Sequence, residues 1–291
     1  MINILFGFDD KFAKYAATAM ASILSNHKLN GSNKICFFLP DIISPVNKER
    51  LLDLKKMQDF ECLFYKVDKT AFEGLPINCW SVATYFKLLI PELFNVDKIL
   101  ALDSDIIVRK DIQSLWDTDI SDYLAAAVRI GDGADRDDYF NAGVVAFNVK
   151  ALKEFDFRRK WRDFIKVTPA KSLVCVDQDI LNPILEGKVY FLPMEYNVIG
   201  SYYDYMLKNH TTDKIVIQHY TPGKPLGLDC PPFLRKLWFN YLSQTAWKQS
   251  WLIFMCHFWI KLFLLNPIFF LKPKYWRKFK EIRRQSKSGE R

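Results

Sequence analysis

The sequence predicts an α/β fold built on a Rossmann-like, mostly parallel sheet flanked by helices. Short apolar runs at residues 2–8, 34–39 and 62–67 are typical of strands buried on both faces of a sheet. Segments with helical periodicity, at residues 12–25 and 45–59, separate these runs. Because strands and helices alternate along the chain, a doubly wound arrangement is favoured.

The remaining elements continue the same alternation. An apolar helix over residues 81–94 carries Thr84, Tyr85 and Lys87, and Pro91 is expected to kink or end it. A strand is expected over residues 98–108. Further strands are predicted at 125–130, 139–149, 189–192 and 215–218, and helices at 153–165 and 176–185.

The net charge of +8 lies at the C-terminal end of the chain. Residues 248–291 hold eleven Lys and Arg against two Glu, whereas residues 1–247 hold thirty basic and thirty-one acidic side chains. This division predicts a neutral domain over residues 1–247 and a basic, aromatic tail over residues 248–291. Half of the chain is hydrophobic, which excludes general disorder.

The spacing of the cysteines and the first ten residues indicate in which cellular compartment the protein works. Six cysteines lack any metal-like spacing, so buried free thiols are favoured. The opening MINILFGFDD has no basic segment and turns acidic, which predicts a first strand rather than a signal peptide. Both features predict a reducing cytoplasm.

Two carboxylates, Asp103 and Asp105, follow the apolar run of residues 99–102 and flank Ser104. In an extended segment, residues i and i+2 point to the same side, which sets both charges together at a strand end. Like charges repel there unless a cation lies between them, so a hard divalent ion, Mg²⁺ or Mn²⁺, is indicated. An Asp-rich turn that caps backbone amides is the alternative. The position at the carboxyl end of a buried strand favours the metal.

Other polar residues also follow predicted strands. Asp9 and Asp10 end the first strand, and His219 ends the strand at 215–218. Of the four histidines, His219 is the best ligand candidate, although a packing role explains it better when it is taken alone. Asp177, Gln178 and Asp179 open a predicted helix, where the helix dipole explains acidic residues equally well.

Together, these motifs resemble glycosyltransferase family 8, and within it the bacterial lipopolysaccharide or lipooligosaccharide hexosyltransferases. The matching segments occur in the family's order over residues 2–225: FGFDDKFAKY, TYFKLLIPELF, ILALDSDIIV, LWDTDI, YFNAGVVAFN, VDQDILN and HYTPGKP. The resemblance implies a GT-A nucleotide-sugar-binding fold. It also implies a retaining transfer of galactose or glucose from a UDP-hexose. This transfer would depend on Mn²⁺, with Mg²⁺ as the alternative ion.

The resemblance implies roles for individual residues. The metal ligands are matched by Asp103, Asp105 and His219. Positions that bind the nucleotide sugar are matched by Gly7, Phe8, Asp9, Lys87, Ser104, Asn141, Ala142, Gly223 and Lys224. Among the residues with catalytic roles, Asp177 matches a contact to the sugar hydroxyls, and Gln178 matches the residue nearest the reactive face of the anomeric carbon.

Two catalytic routes fit these residue types. The metal and Lys224 can stabilise the charge that develops on the departing UDP. Gln178, a neutral amide and a poor nucleophile, can stabilise an oxocarbenium-like centre while the acceptor attacks from the leaving-group side. Alternatively, Asp177 or Asp179 forms a covalent intermediate, as carboxylates do in retaining glycosidases. The sequence leaves both routes open.

Several positions depart from the family pattern. Lys87 stands where Arg is usual, and it keeps the charge without the bidentate fork. Lys11 replaces a common Asn, the loop after His219 is one residue shorter, and Leu226 replaces a Trp. The segment 129–139 is also short. Arg129 occupies a position that is acidic in a related galactosyltransferase, which predicts a different acceptor.

The tail predicts contact with a membrane surface. Residues 251–271 are largely apolar but interrupted, notably by Lys261 and Pro267. A spanning helix of about 20 residues is one alternative. The Pro and the abundant aromatic residues favour a segment in the interface, with KPKYWRKFKEIRR on anionic head groups. Core-packed helices with a solvated basic end are another alternative, and a nucleic-acid patch is less favoured.

These observations predict a hexosyltransferase that extends a glycolipid core at the cytoplasmic face of a bacterial inner membrane. Its expected partners are the UDP-sugar, the glycolipid acceptor and the anionic membrane, with no nucleic acid. The alternatives are a family 8 transferase for a protein or soluble glycan, and a non-catalytic module that binds a nucleotide sugar or a membrane.

Overall fold

A computed structural model describes residues 1–28, 34–77, 81–130, 138–221, 223–227, 230–250, 253–256 and 260. The strands found there are β1 (Ile2–Phe6), β2 (Ile35–Pro40), β3 (Glu61–Tyr65), β4 (Lys98–Leu102), β5 (Ile106–Val108), β6 (Ala125–Arg129), β7 (Phe140–Asn148), β8 (Val189–Leu192) and β9 (Ile217–His219). The α-helices are α1 (Ala13–Asn26), α2 (Pro45–Leu52), α3 (Ile90–Leu93), α4 (Gln113–Asp117), α5 (Val149–Glu154), α6 (Phe157–Val167), α7 (Asp177–Leu185), α8 (Gly200–Lys208) and α9 (Pro232–Leu242).

A seven-stranded sheet forms the centre, with strand order β3-β2-β1-β4-β7-β6-β8. All of its strands run in one direction except β7, which is antiparallel to β4 and β6. The prediction of a mostly parallel sheet is therefore confirmed. The reversal of β7 has a simple cause, because the short connection from β6 cannot supply the crossover that parallel neighbours need.

Helices cover both faces of this sheet. On one face α1 contributes Ala16, Ala17 and Met20 to a core that also holds Ile4 and Leu100. The opposite face is covered by α5, α6 and α7 through a second apolar cluster. Because the central strands are buried on both faces, their polar side chains reach solvent at the strand ends, which favours a ligand site there.

The prediction of one continuous strand over residues 98–108 is wrong, because the structure has two strands there. β4 ends at Leu102, the chain bends at Ser104 and Asp105, and β5 then leaves the large sheet to pair with β9. The two carboxylates therefore lie at a junction between two sheets. An apolar run on each side of the pair concealed this junction in the sequence.

Two predicted helices also differ from the structure. Residues 82–89 form a 3-10 helix, and Pro91 lies in the first turn of the α3 helix that follows it. The helix expected over 153–165 is divided into α5 and α6 at Asp156, whose φ of 55° is left-handed. Asp tolerates that conformation better than most residues, so it can form such a break.

Within the described residues, no helix has the length and apolar character that crossing a membrane requires. Most of the predicted tail lies outside these residues. Phe254, near its start, packs on Phe239 of α9 with ring centroids 4.7 Å apart. Five of the six cysteines are described and carry free thiols, of which Cys36 and Cys230 are buried and Cys256 is exposed.

Candidate active site

A cleft opens at the carboxyl edge of the sheet, beyond β1 and β4. It gathers residues that the sequence places far apart. Eleven of the predicted site residues line it: Gly7, Phe8, Asp103, Ser104, Asp105, Asn141, Ala142, Asp177, Gln178, His219 and Lys224.

The pairing of β5 with β9 brings Asp105 and His219 together. Ile106 lies opposite His219 in this antiparallel pair, and the Tyr220 N–H donates to the Asp105 carbonyl at 2.9 Å. Asp103 is held from the other side, because its N–H donates to the Gly143 carbonyl at 2.8 Å. The small sheet thus supplies what the large sheet alone cannot, an imidazole beside the carboxylate pair.

Asp103, Asp105 and His219 form a compact cluster. His219 Nε2 lies 3.7 Å from Asp103 Oδ2 and 3.6 Å from Asp105 Oδ1. One ligand atom from each residue falls within 4.8 Å of the others, and no second group of this kind occurs among the described residues. Asp105 and His219 are buried, whereas the Asp103 side chain is 38% exposed and faces the cleft. These separations suit ligands arranged around one ion.

The proton on His219 can be assigned from its partner, Asn197. Nδ1 lies 2.9 Å from Asn197 Oδ1, and the Asn197 amide nitrogen donates to Asn141 Oδ1 at 2.8 Å. An amide oxygen can only accept, so Nδ1 carries a hydrogen, and in the neutral imidazole that a metal ion would bind, the Nε2 lone pair then points toward the carboxylates. Two carboxylates and a neutral imidazole fit Mn²⁺ or Mg²⁺.

Gly143 leaves the space that the imidazole occupies. A Cβ atom at this position would lie 2.2 Å from His219 Cε1 and 2.7 Å from its Nδ1. Glycine is therefore required for the metal cluster. The sequence carried a signal for this role, since a glycine inside a strand often marks a close approach.

Lys87 lies behind the carboxylates and is buried. Its ammonium contacts Asp103 Oδ1 at 3.1 Å, Asp177 Oδ2 at 2.9 Å and the Ala142 carbonyl at 2.8 Å. The contacts to Asp103 and the Ala142 carbonyl are hydrogen bonds, and the contact to Asp177 is an ion pair. Burial favours the neutral amine, but Asp103 and Asp177 outweigh it and raise the pKa of Lys87.

Lys224 contacts the other carboxylate, Asp105 Oδ2, from the rim of the cleft. Burial opposes ionisation of Asp105. Lys224 and His219 outweigh that effect and hold the pKa of Asp105 well below its ordinary value. Asp105 therefore stays ionised at neutral pH, as a cation ligand requires.

Asp177 is buried at the start of α7. The Thr84 hydroxyl donates to its Oδ1 at 2.5 Å, and Lys87 approaches its Oδ2. Burial raises the pKa of Asp177 despite the nearby Lys87, and the charge of Asp103 adds to the rise. The preceding Val176 has a φ of 46°, which is strained for a β-branched residue.

Gln178 is held at both ends of its amide. Oε1 accepts from the Ala142 N–H at 3.0 Å and from Asn141 Nδ2 at 3.1 Å, while Nε2 donates to the Tyr139 hydroxyl at 3.1 Å. This amide is therefore oriented within the cleft. Tyr139 and Asn197 were not among the predicted site residues. Tyr139 begins the segment YFNAGVVAFN, which could have drawn attention to it, whereas Asn197 lies in none of the matching motifs.

Four predicted site residues do not line the cleft: the buried Lys87 described above, and Asp179, Asp9 and Gly223. Asp179 turns away, since its carboxylate accepts from Tyr139 and from the Cys175 N–H at 2.7 Å, and it lines a separate cavity beside α6. Asp9 accepts from the Lys11 N–H at 3.0 Å and caps a short 3-10 helix. Gly223 precedes Lys224 without lining the cleft.

The mostly parallel sheet, the carboxylate pair at the end of β4 and the added imidazole define a GT-A-type glycosyltransferase fold. The chain belongs to glycosyl transferase family 8, whose sequence model matches residues 3–225. The resemblance inferred from the motifs is thereby confirmed.

Several proteins are similar to this chain over most of its length. General stress protein A of Bacillus subtilis strain 168 is 27% identical over 274 residues, which cover 85% of this chain and 95% of the relative. The lipopolysaccharide 1,3-galactosyltransferase of Salmonella typhimurium strain LT2 is 27% identical over 248 residues, covering 77% and 72%. The lipopolysaccharide 1,2-glucosyltransferase of Escherichia coli K12 is 26% identical over 236 residues, covering 73% and 65%.

A solved structure shares the fold. The crystal structure of the galactosyltransferase LgtC in complex with donor and acceptor sugar analogues superposes with a TM-score of 0.73. The two chains are 27% identical, and the match covers 84% of this chain and 96% of LgtC.

Proposed function

We propose that this protein transfers a hexose, galactose or glucose, from a UDP-sugar to a lipopolysaccharide or lipooligosaccharide core acceptor with retention of configuration. The observation that carries the proposal is the cluster of Asp103, Asp105 and His219 in one cleft with Asp177 and Gln178. The names of the Salmonella and Escherichia coli relatives support the hexose and the acceptor class.

The metal-ligand atoms of the cluster, two carboxylates and one imidazole, support a requirement for Mn²⁺, with Mg²⁺ as the alternative. Held by Asp103, Asp105 and His219, such an ion supplies electrostatic stabilisation to the departing diphosphate. Lys224 lies on the same side of the cleft and is 35% exposed. Its ammonium can exchange Asp105 for a diphosphate oxygen and add a second positive charge there.

The contacts of the two candidate nucleophiles favour a transfer without a covalent intermediate. Asp179 is engaged by Tyr139 and a backbone N–H, and Asp177 is engaged by Thr84 and Lys87. Neither carboxylate is placed as an unhindered nucleophile. We therefore assign Asp177 to sugar binding and Gln178 to stabilisation of positive charge at the anomeric carbon, while the acceptor hydroxyl attacks from the side of the leaving UDP.

The acceptor class and the basic tail together support a location at the cytoplasmic face of a membrane. A glycolipid acceptor is met at that surface, and residues 272–284 hold seven Lys and Arg that anionic head groups attract. The domain of residues 1–247 would then carry the chemistry, and residues 248–291 would hold it at the membrane.

A donor screen tests the proposal directly. Purified protein is given UDP-galactose or UDP-glucose with and without Mn²⁺, UDP release is measured, and the better donor is then combined with core glycolipids. Asp103→Asn should abolish turnover while thermal unfolding stays cooperative, and the exposed Asp122→Asn serves as the control. Unchanged turnover in Asp103→Asn would overturn the metal assignment. Absence of UDP release with either donor would favour a binding module instead.

A further inference from the structure

We propose that Asn197 is a positioning residue that orients the metal ligand His219 and the amide of Gln178 at the same time. This inference rests on the metal-dependent transfer proposed above. It assigns a role to a side chain that lies outside the lining of the cleft and is only 1% exposed.

The backbone around Asn197 is fixed to the strand that bears His219. Val198, the next residue, forms a parallel bridge with Gln218 of β9. The Val198 N–H donates to the Ile217 carbonyl at 2.9 Å, and the His219 N–H donates to the Val198 carbonyl at 3.0 Å. Asn197 and His219 are therefore held in one register, and neither side chain can shift without disturbing the other.

The Asn197 amide is used on both sides. Its oxygen accepts from His219 Nδ1 at 2.9 Å, and its nitrogen donates to Asn141 Oδ1 at 2.8 Å. Asn141 Nδ2 then donates to Gln178 Oε1 at 3.1 Å. From His219 onward, every donor points in the same direction along this chain, which continues through Tyr139 to Asp179.

Only one orientation of Asn197 satisfies both neighbours. If its amide turned over, its NH₂ would face the N–H of His219 and its oxygen would face the oxygen of Asn141. Asn141 cannot turn to compensate, because its Oδ1 also accepts from the Gly143 N–H at 3.0 Å. Buried polar groups left without partners are costly, so Asn197 fixes the hydrogen on His219 Nδ1 and, by donating to Asn141 Oδ1, holds in place the side chain that donates to Gln178.

Two substitutions of Asn197 separate its effect on His219 from its effect on Gln178. Asn197→Asp keeps an oxygen for the His219 N–H but places a carboxylate oxygen against Asn141 Oδ1. Asn197→Leu is similar in size and removes both contacts. The measurements are Mn²⁺ affinity by isothermal titration of the full-length protein and, separately, kcat and KM for UDP release at saturating Mn²⁺.

We expect a split between the two variants. Asn197→Leu should weaken Mn²⁺ binding by about 10- to 100-fold, the effect typical of a lost partner of a metal-bound His. Asn197→Asp should bind Mn²⁺ nearly as tightly as the wild type, yet its kcat should fall by about tenfold or more with little change in KM, because repulsion displaces Asn141 and weakens its support of Gln178.

Gln218→Leu is the matched control. Gln218 is also 1% exposed and adjoins His219. Its Nε2 donates to two backbone carbonyls, that of Val198 at 2.8 Å and that of His219 at 3.4 Å, and it contacts neither the imidazole nor the chain of amides. It should lower thermal stability and leave Mn²⁺ affinity unchanged. The proposal is overturned if Gln218→Leu weakens Mn²⁺ binding as much as Asn197→Leu, or if Asn197→Asp and Asn197→Leu behave alike.

The direct binding measurement separates this inference from the proposed function. A wild-type protein that binds Mn²⁺ but releases no UDP would contradict the proposed function. Selective loss of Mn²⁺ binding in Asn197→Leu would still support the positioning of His219.

Discussion

Lys87 Nζ lies 2.9 Å from Asp177 Oδ2, and both side chains are no more than 7% exposed. This buried ion pair joins the 3-10 helix of residues 82–89 to the start of α7, across the floor of the cleft. Lys87 also contacts Asp103. One ammonium group therefore fixes a candidate metal ligand and a candidate sugar-binding carboxylate.

Lys87→Met should destabilise the protein by about 3–5 kcal/mol, because it leaves the buried Asp177 without its cation. Urea unfolding measures the change. The double variant Lys87→Met with Asp177→Asn should lose less stability than the sum of the two single variants, since no unpaired charge remains. Additive losses would show that the pair does not interact.

Asp105 should make stability depend on pH in the metal-free protein. Its pKa is lower in the folded state than in the unfolded state, because Lys224 and His219 stabilise the carboxylate. Its contribution is therefore complete above the unfolded value of about 4, and it is lost as the pH falls through the folded value. Asp105→Asn should be less stable than the wild type by about 1–3 kcal/mol near neutral pH, and the difference should shrink in acid.

Denaturant unfolding in EDTA across that range measures this dependence. Asp122→Asn, at an exposed position, serves as the control. A stability difference between Asp105→Asn and the wild type that widens on acidification would contradict the lowered pKa of Asp105.

Gly143→Ala should abolish Mn²⁺ binding while the fold persists, because the added Cβ would lie 2.2 Å from the His219 ring. Titration with Mn²⁺ and thermal unfolding measure the two effects. Combining Gly143→Ala with His219→Ala should restore stability without restoring Mn²⁺ binding, since the closest clash is with the imidazole. If Gly143→Ala still binds Mn²⁺ with wild-type affinity, the placement of His219 is wrong.

Tyr139→Phe should lower kcat for transfer by about tenfold and leave KM for the donor nearly unchanged. The substitution removes the acceptor for Gln178 Nε2 and the donor to Asp179 without opening a cavity. Steady-state kinetics measure the change, and Tyr123→Phe, at a position on the far edge of the sheet that packs edge-on against Tyr190, provides the control. Equal changes in kcat and KM would indicate a general loss of donor binding.

Truncation after Cys256 should release the protein from anionic vesicles and leave UDP release from the donor intact. This cut keeps Phe254 against Phe239, so the contacts of α9 are preserved. Sedimentation with anionic and neutral vesicles measures binding, which should weaken at high salt. A full-length protein with the basic residues of 272–284 changed to Gln is the matched control. Truncated protein that still sediments with anionic vesicles would contradict the role of the tail.

Much of the fold could be predicted from local patterns. The apolar runs located the strands, and the alternation of strands and helices predicted a mostly parallel sheet. The reversal of β7, the departure of β5 and the break at Asp156 were not predicted. The first two depend on connection length or on pairing between distant segments, and the third on the left-handed backbone of a single residue. A local periodicity does not contain that information.

The sequence by itself determined which chemical groups were available. The Asp103 and Asp105 spacing, His219 after a strand, and the run Asp177, Gln178 and Asp179 all named candidates, and the ordered motifs identified the family. The tertiary structure alone decided which groups meet. β5–β9 pairing brought His219 to the carboxylates, and the start of α7 turned Gln178 into the cleft and Asp179 away from it.

Asn197 shows most clearly what only the tertiary structure decided. Nothing in its sequence neighbourhood distinguishes it, yet its buried amide contacts His219 and Asn141. A side chain acquires such a role only when long-range pairing fixes the positions of both partners. The reason is that a hydrogen bond forms only when the donor–acceptor distance falls within a range of a few tenths of an ångström.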